Sequence, residues 1–366
     1  MTSSSCSPVE HNALTHPVTL QKGDLQPFVA RLLATHRLIT PMEQHGELRF
    51  DRVESSEDVV LDYRNTSKPV KGIFFPQTEE LIRFRRPRDD FNSVREVPLD
   101  TTPTILLGVR PCDAQSFLLL DEIFMQGPYR DPYYVARREN TLVVSLACTQ
   151  PRRTCFCHAF DSGPYDRQGA DVVMQDAGDA YLLESVSARG AEFLAGLEMA
   201  PADQEHLRRA REIEAGARER LQPIEPLAGL EEHLADLFES DIWDEIGEKC
   251  LACGTCTYVC PTCHCFNIED RVLARGGERL RTWDSCMYST FTAQASGHNP
   301  RPDQASRWRQ RAMHKFEYLP RNVGRYGCVG CGRCIAACPV HVDIRHILTR
   351  IRQALEKERR SEQETP

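Results

Sequence analysis

Two copies of one cysteine run constrain the fold of this chain more than any other feature of its sequence. In each copy three cysteines are spaced by two residues, a fourth follows after three more, and a proline comes next. The first run is Cys250, Cys253, Cys256 and Cys260 before Pro261, and the second is Cys328, Cys331, Cys334 and Cys338 before Pro339. Two-residue gaps let one loop wrap three thiolates around three corners of a [4Fe-4S] cubane, while the fourth cysteine ligates a second cluster. The chain must therefore fold so that its two runs meet.

This exchange of fourth cysteines predicts two crossed ligand sets. One cluster takes Cys250, Cys253, Cys256 and Cys338, and the other takes Cys328, Cys331, Cys334 and Cys260. Zinc is the alternative, since it also favours Cys-x2-Cys pairs, but a zinc ribbon needs no third cysteine at the next two-residue gap. The interval from Pro261 to Gly327 is too long for a compact bacterial ferredoxin hairpin and favours a helical ferredoxin-like fold.

The size and charge of the chain limit the kinds of protein that it can be. Its 366 residues exceed what a single hydrophobic core usually supports, so two or three domains are expected. The net charge of -8 argues against a nucleic-acid partner. No apolar stretch is long enough to span a bilayer, and the amino terminus does not resemble a secretory signal. We therefore predict a cytoplasmic protein, in which thiols stay reduced and metal explains the 16 cysteines better than disulfides do.

The sequence pattern divides the chain into five segments. We predict a disordered leader at 1–23, an α/β domain at 24–188, a helical linker at 189–229, a dicluster ferredoxin-like domain at 230–347, and a C-terminal helix and tail at 348–366. Strands are predicted at 70–75, 104–109, 141–147, 172–174 and 181–184, and an acidic helix at 230–249. The predicted fold class is an α/β N-terminal domain plus a mainly helical ferredoxin-like C-terminal domain carrying two [4Fe-4S] clusters.

Four further thiols are predicted to meet in the α/β domain. The strand at 104–109 runs into Cys112, and the strand at 141–147 ends just before Cys148. The helix between them, which Asp113 is expected to cap, completes a βαβ unit whose parallel strands end at the same sheet edge. Open α/β folds bind ligands at that edge, and the next loop adds Cys155 and Cys157. These cysteines predict a third metal site, with an iron-sulfur cluster, structural zinc and packed cysteines as the alternatives.

The interval between the runs contains further residues that could bind metal or a partner protein. Cys263, Cys265 and Cys286 could bind further iron, but buried free cysteines commonly act as small hydrophobic residues, and we favour packing. His264 is interpreted as a packed or solvated histidine. The stretch before the second run is rich in cations, which we interpret either as a solvated face or as a docking patch for an acidic redox partner. These cations are Arg301, Arg307, Arg309, Arg311, Lys315, Arg321 and Arg325.

Several segments of the chain resemble a known family. They are 71–77 (KGIFFPQ), 108–113 (GVRPCD), 155–157 (CFC), 297–301 (GHNPR) and both cysteine runs. The chain is similar in these to the beta subunit of cytoplasmic sulfhydrogenases and to the related dicluster electron-transfer subunit of anaerobic sulfite reductase. The resemblance implies a partner flavoprotein with FAD and a [2Fe-2S] centre that handles NAD(P)H. It also implies a separate catalytic subunit, either a [NiFe] hydrogenase or a sirohaem sulfite reductase.

The sequence shows no dinucleotide fingerprint, P-loop or HExxH motif, and it indicates no catalytic or organic-cofactor-binding residue. We therefore predict a non-catalytic iron-sulfur subunit that relays electrons between a flavin subunit and a catalytic subunit. The alternatives are a structural zinc-binding scaffold and a self-sufficient flavin oxidoreductase.

Overall fold

The computed structural model describes residues 16–85, 93–225, 227, 229–274 and 276–364. Most of the predicted leader, with Cys6, lies outside the described residues. The strands are β1 (Val18–Gln21), β2 (Arg37–Gln44), β3 (Glu47–Arg52), β4 (Thr78–Arg85), β5 (Ser93–Glu96), β6 (Thr104–Val109), β7 (Thr141–Leu146), β8 (Val172–Asp176), β9 (Ala180–Ser185), β10 (Phe266–Leu273) and β11 (Gly276–Trp283). The helices are α1 (Leu25–Leu33), α2 (Pro111–Phe124), α3 (Pro132–Glu139), α4 (Ala188–Ala195), α5 (Gln204–Glu219), α6 (Leu230–His233), α7 (Ile242–Gly247), α8 (Thr255–Tyr258), α9 (Gln304–Met313), α10 (Leu319–Val323), α11 (Arg333–Ala336) and α12 (Ile344–Glu364).

The N-terminal half is built on a mixed sheet in the order β1-β9-β8-β7-β6-β2-β3. Strands β2, β6, β7 and β8 run parallel to one another. Strands β6 and β7 are buried at every residue, as expected for parallel strands covered on both faces. In β6, Ile105 and Leu107 pack with the residues of α1 on one face, and Leu106 packs with those of α2 on the other. The strands predicted at 104–109, 141–147, 172–174 and 181–184 are thereby confirmed.

Two short segments differ from the sequence prediction. Residues 18–21, assigned to the leader, form edge strand β1, which pairs antiparallel with β9. The strand predicted at 70–75 is instead a 3-10 turn over Val70–Ile73. A short apolar run has no diagnostic period, and its apolarity here reflects Phe74 and Phe75, which are fully buried against the aromatic residues of α2 and α3.

The helical regions beyond the sheet are more divided than predicted. The segment at 189–229 contains α4 and α5, and α5 contacts strands β8 and β9, where Ala210 packs with Leu182. These two helices are part of the sheet domain's packing and not a simple linker. The acidic helix predicted at 230–249 is interrupted, since α6, a 3-10 turn at Leu234–Leu237 and α7 follow one another.

A second sheet joins the two halves of the chain. Its strand order is β10-β11-β4-β5, so β11 from the cysteine-rich half pairs antiparallel with β4 from the N-terminal half. The ferredoxin-like part is therefore not wholly helical, because hairpin β10–β11 lies between its two runs. Helix α12 buries the stripe Ile344, Ile347, Leu348, Ile351 and Leu355 against this part. Within the described ranges, no helix is both long and apolar enough to cross a membrane.

Candidate metal centres

The two cysteine runs adopt matching local structures. In each, the residue after the second cysteine is a glycine with positive φ that starts a four-residue helix: Gly254 (φ 73°) before α8 and Gly332 (φ 72°) before α11. A left-handed residue turns the chain sharply, and glycine adopts that conformation without a Cβ clash. The two short helices contact each other. The repeated cysteine spacing therefore corresponds to a repeated structure.

The fourth cysteine of the second run lies beside the first run. Cys250, Cys253, Cys256 and Cys338 line one cavity. Its walls are completed by Met287, Trp308, Val342 and Ile344, and also by Cys334 and Arg311. The structure thus brings together the first of the two predicted crossed ligand sets.

Cys260 of the first run lies with the other three cysteines of the second run. Burial raises the pKa of Cys328 to about 12, and the neighbouring Cys260 contributes to the increase. Burial likewise raises the pKa values of Cys331 and Cys334, and both thiols also interact electrostatically with Cys260. Burial makes free thiolates costly, and a metal ion deprotonates a coordinating thiol by supplying the missing positive charge.

Backbone amides are directed at sulfurs in both runs. The amide of Ala252 donates to Cys250 Sγ over 3.4 Å, and the amide of Gly330 donates to Cys328 Sγ over 3.5 Å. The amide of Val342 donates to Cys338 Sγ over 3.3 Å. Hydrogen bonding with Thr255 lowers the pKa of Cys253. Hydrogen bonds to sulfur and burial are the features that tune [4Fe-4S] clusters, so the residues present fit that group.

The structure also brings together the four thiols of the sheet domain. Strands β6 and β7 are parallel, and Cys112 and Cys148 follow their carboxyl ends. Burial raises the pKa of Cys157 to about 12, and Cys155 and Cys148 contribute to the increase. Cys112, which is half-buried, interacts electrostatically with Cys157. The buried Arg110 donates to the carbonyls of Leu146 and Ala147 and acts on Cys148 electrostatically.

This sheet group lies directly against the second run. The Phe156 amide donates to the carbonyl of Gly330 over 2.8 Å, and Cys155 Sγ lies 3.7 Å from the carbonyl oxygen of Cys331. A Cβ on Gly330 would lie 2.5 Å from the Cys157 nitrogen. Only glycine at this position allows the two loops to approach so closely.

Asp113 connects the sheet domain to the second run and does not cap α2, so that prediction was wrong. Arg110 occupies the N-cap position without a side-chain cap. The Asp113 carboxylate is fully buried and accepts from Arg333, with Oδ1 2.8 Å from Nη1. Arg333, which lies between Cys331 and Cys334, also donates to Asn65 and Thr66. A lone aspartate at a helix start does not reveal a partner 220 residues away.

The other three cysteines of the described residues also lie together. Cys263, Cys265 and Cys286 line a small cavity, with His264, His314, Arg311 and Lys315 among its other residues. The thiols of Cys265 and Cys286 are hydrogen bonded, and this bond lowers the pKa of Cys265. His264 is largely buried, and burial lowers its pKa to about 4. Within the described part of the chain, no three His, Cys, Asp or Glu side chains form a group suited to a single metal ion.

The cation-rich stretch is not a uniform surface. Arg307, Arg311 and Lys315 are each no more than 5% exposed, so the solvated-face and docking-patch interpretations do not apply to these three. Arg311 Nη1 lies 3.7 Å from Cys263 Sγ. Sequence reasoning also missed Lys71, which is 2% exposed and donates to the carbonyl of Cys263. Its signal was a lone lysine within the apolar run 70–75.

Comparisons with known proteins agree with this picture. Residues 249–342 match a family described as a 4Fe-4S dicluster domain. The chain is 33% identical over 341 residues to sulfhydrogenase 2 subunit beta of Pyrococcus furiosus. The aligned residues cover 92% of this chain and 99% of that protein. The chain belongs to the sulfhydrogenase beta-subunit family.

Membership of the sulfhydrogenase beta-subunit family confirms the resemblance predicted from the sequence. The dicluster match confirms the iron-sulfur, [4Fe-4S] character of the region that contains both runs. No solved structure matches the chain.

Proposed function

We propose that this chain relays single electrons through two [4Fe-4S] clusters with crossed ligands. Cys250, Cys253, Cys256 and Cys338 hold one cluster, and Cys328, Cys331, Cys334 and Cys260 hold the other. The observation that carries the proposal is the cavity that Cys338 shares with the first run. When bound, the clusters supply one-electron transfer. The chain's own residues orient the sulfurs, hydrogen bond to them and exclude water.

We propose a third cluster at Cys112, Cys148, Cys155 and Cys157. Its support is the position of these thiols at the carboxyl edge of β6 and β7, next to the buried guanidinium of Arg110. A cluster held by thiolates is anionic, and a nearby buried cation offsets that charge. The contact between Cys155 and Cys331 supports a position for this site beside the second run. The three sites would form a continuous path for electrons from the sheet domain to the first run.

We infer that the partners are a flavoprotein with FAD and a [2Fe-2S] centre that handles NAD(P)H, and a separate catalytic subunit. The name of the Pyrococcus furiosus relative favours a hydrogenase in this catalytic role over a sulfite reductase. We place the complex in the cytoplasm, where thiols stay reduced. The chain itself would be non-catalytic, with its two run clusters in the segment 230–347.

Spectroscopy of the anaerobically purified full chain tests the relay. We expect broad visible absorbance that dithionite bleaches, and at least about 12 iron atoms per chain, four for each cubane. Zinc with colourless protein would instead support the scaffold alternative. A stoichiometric bound flavin would support the self-sufficient oxidoreductase.

A further inference from the structure

Three buried cations converge on the thiols between the runs. Lys71 comes from the 3-10 turn at Val70–Ile73, Arg311 from α9, and Lys315 from the π-helical turn at His314–Tyr318. All three are between 2% and 5% exposed. They come from segments far apart in sequence, so tertiary packing assembles the group.

These cations face sulfur and neutral oxygen atoms. Lys315 Nζ lies 3.4 Å from Cys260 Sγ and 3.2 Å from Thr262 Oγ1. Arg311 donates to Cys263 Sγ and to the carbonyl of Cys256. Lys71 donates to the carbonyl of Cys263, and its ammonium lies 4.1 Å from the centre of the Trp283 ring.

Carboxylates balance two other buried arginines. Arg281 pairs with Glu79 and Asp131, and Arg333 pairs with Asp113. Lys71, Arg311 and Lys315 form no ion pair with a carboxylate of the described residues. A buried charge is costly unless an opposite charge lies nearby. The nearest groups that can carry the balancing negative charge are the thiols beside these cations.

Three of those thiols are not needed by either run. Cys263 and Cys265 follow the first run directly, and Cys286 follows β11. The amide of Asp284 donates to the carbonyl of Cys265 over 3.0 Å, which holds the two segments side by side. All three cysteines line the same small cavity as Arg311 and Lys315. Cys260 is a close neighbour but lies with the second run.

We propose that Cys263, Cys265 and Cys286 bind a further [4Fe-4S] cluster through three thiolates, with Lys71, Arg311 and Lys315 as its counter charges. As ligands of the run clusters, Cys256 and Cys260 already offset part of the charge of Arg311 and Lys315. Packed neutral thiols at the other three cysteines would leave Lys71, which contacts the Cys263 carbonyl and the Trp283 ring, without a counter charge. A single ion fits less well, because in the described ranges no three ligating side chains are grouped as one ion requires. The sequence alone favours packing for these cysteines, and only the buried cations reverse that preference.

The first test replaces all three thiols, as Cys263→Ser, Cys265→Ser and Cys286→Ser, in the anaerobically purified full chain. We expect a loss of about four iron atoms and four acid-labile sulfides per chain, as one cubane contains. The spectroscopic signals of the run clusters should persist. The control is Cys6→Ser, which alters a cysteine outside every proposed ligand set and should lose no iron. Unchanged iron in the triple variant, or loss of one metal ion without sulfide, would overturn the proposal.

The second test does not depend on the triple variant folding. Lys71→Met keeps the length of a buried side chain and removes its charge. It should lower the reduction potential of the centre that the triple variant lacks, because a nearby cation favours the reduced, more negative cluster. Lys68→Met makes the same change at an exposed position and should shift no potential. Equal potentials in the two lysine variants would overturn the proposal. Loss of all iron-sulfur signals from the unaltered chain would instead refute the relay proposed above.

Discussion

The two cysteine runs and the four cysteines of the sheet domain bring thiols together by different means. In each run, three cysteines belong to one loop and a glycine-started helix, so local geometry places them. In the sheet domain, Cys112 and Cys148 meet because β6 and β7 are parallel neighbours. The run sites therefore depend on spacing and on one exchanged cysteine, whereas the sheet site depends on the topology of a whole domain. Substitutions at the two kinds of site should therefore differ in their effects.

The largest effect is expected at the exchanged cysteine. Cys338→Ser should disrupt the cluster that Cys250 begins and leave the cluster at Cys328, Cys331 and Cys334 with all its ligands. Because metal binding is coupled to folding, stability should fall strongly as well. Electron paramagnetic resonance and iron analysis check the outcome. Cys260→Ser is the matched variant and should affect the opposite cluster. Damage confined to the second-run centre in Cys338→Ser would refute the crossing.

The sheet site should be separable from the runs. Changing Cys155 and Cys157 together to Ser should remove about four iron atoms per chain while both run clusters keep their signals. Zinc should be measured in the same sample, because thiolate sites also accept zinc. Iron that stays constant, with no zinc in either protein, would identify these cysteines as packing residues.

The ion pair between the two regions should matter for stability more than for cluster content. Asp113→Asn leaves the Arg333 guanidinium buried without its counter charge, and such a loss typically costs about 3–5 kcal/mol. Denaturant unfolding of the reduced, anaerobic protein measures the change in unfolding free energy. Asp121→Asn is the comparison, since Asp121 is less buried and its Arg138 partner is also more exposed. An equal or larger loss at Asp121 would contradict the role assigned to the domain contact.

The smallest effects are expected at the glycines of the two runs. Gly332→Ala should cost about 1–3 kcal/mol for its positive φ, and more because its Cβ would lie 2.4 Å from the Thr154 carbonyl oxygen. Gly254→Ala has the same backbone strain, but its Cβ meets the Tyr288 side chain, which can move. Thermal unfolding of the two variants should therefore show the larger destabilisation at Gly332. A larger loss at Gly254 would mean that the second run does not depend on its contact with the sheet-domain loop.

Sequence patterns predicted the central parallel strands because β6 and β7 are continuous runs of buried apolar residues. They also predicted that Cys112 and Cys148 lie close together, because the parallel strands that precede them end at the same edge of the sheet. They failed at β1 and at 70–75, where long-range pairing and aromatic packing override local preference. The cations Arg311 and Lys315 were assigned to the surface because charge runs usually are solvated, and no local signal shows a thiol partner.

The sequence by itself determined that this chain carries [4Fe-4S] chemistry, because the spacing of each run is a property of adjacent residues. It also determined which strands form the core of the sheet. Only the tertiary structure decided what lies against the clusters. Arg333 reaches Asp113, β11 pairs with β4, and Lys71 approaches Cys263. Each of these contacts joins residues roughly 190 to 220 positions apart, and a buried charge finds its partner only when the whole chain has folded.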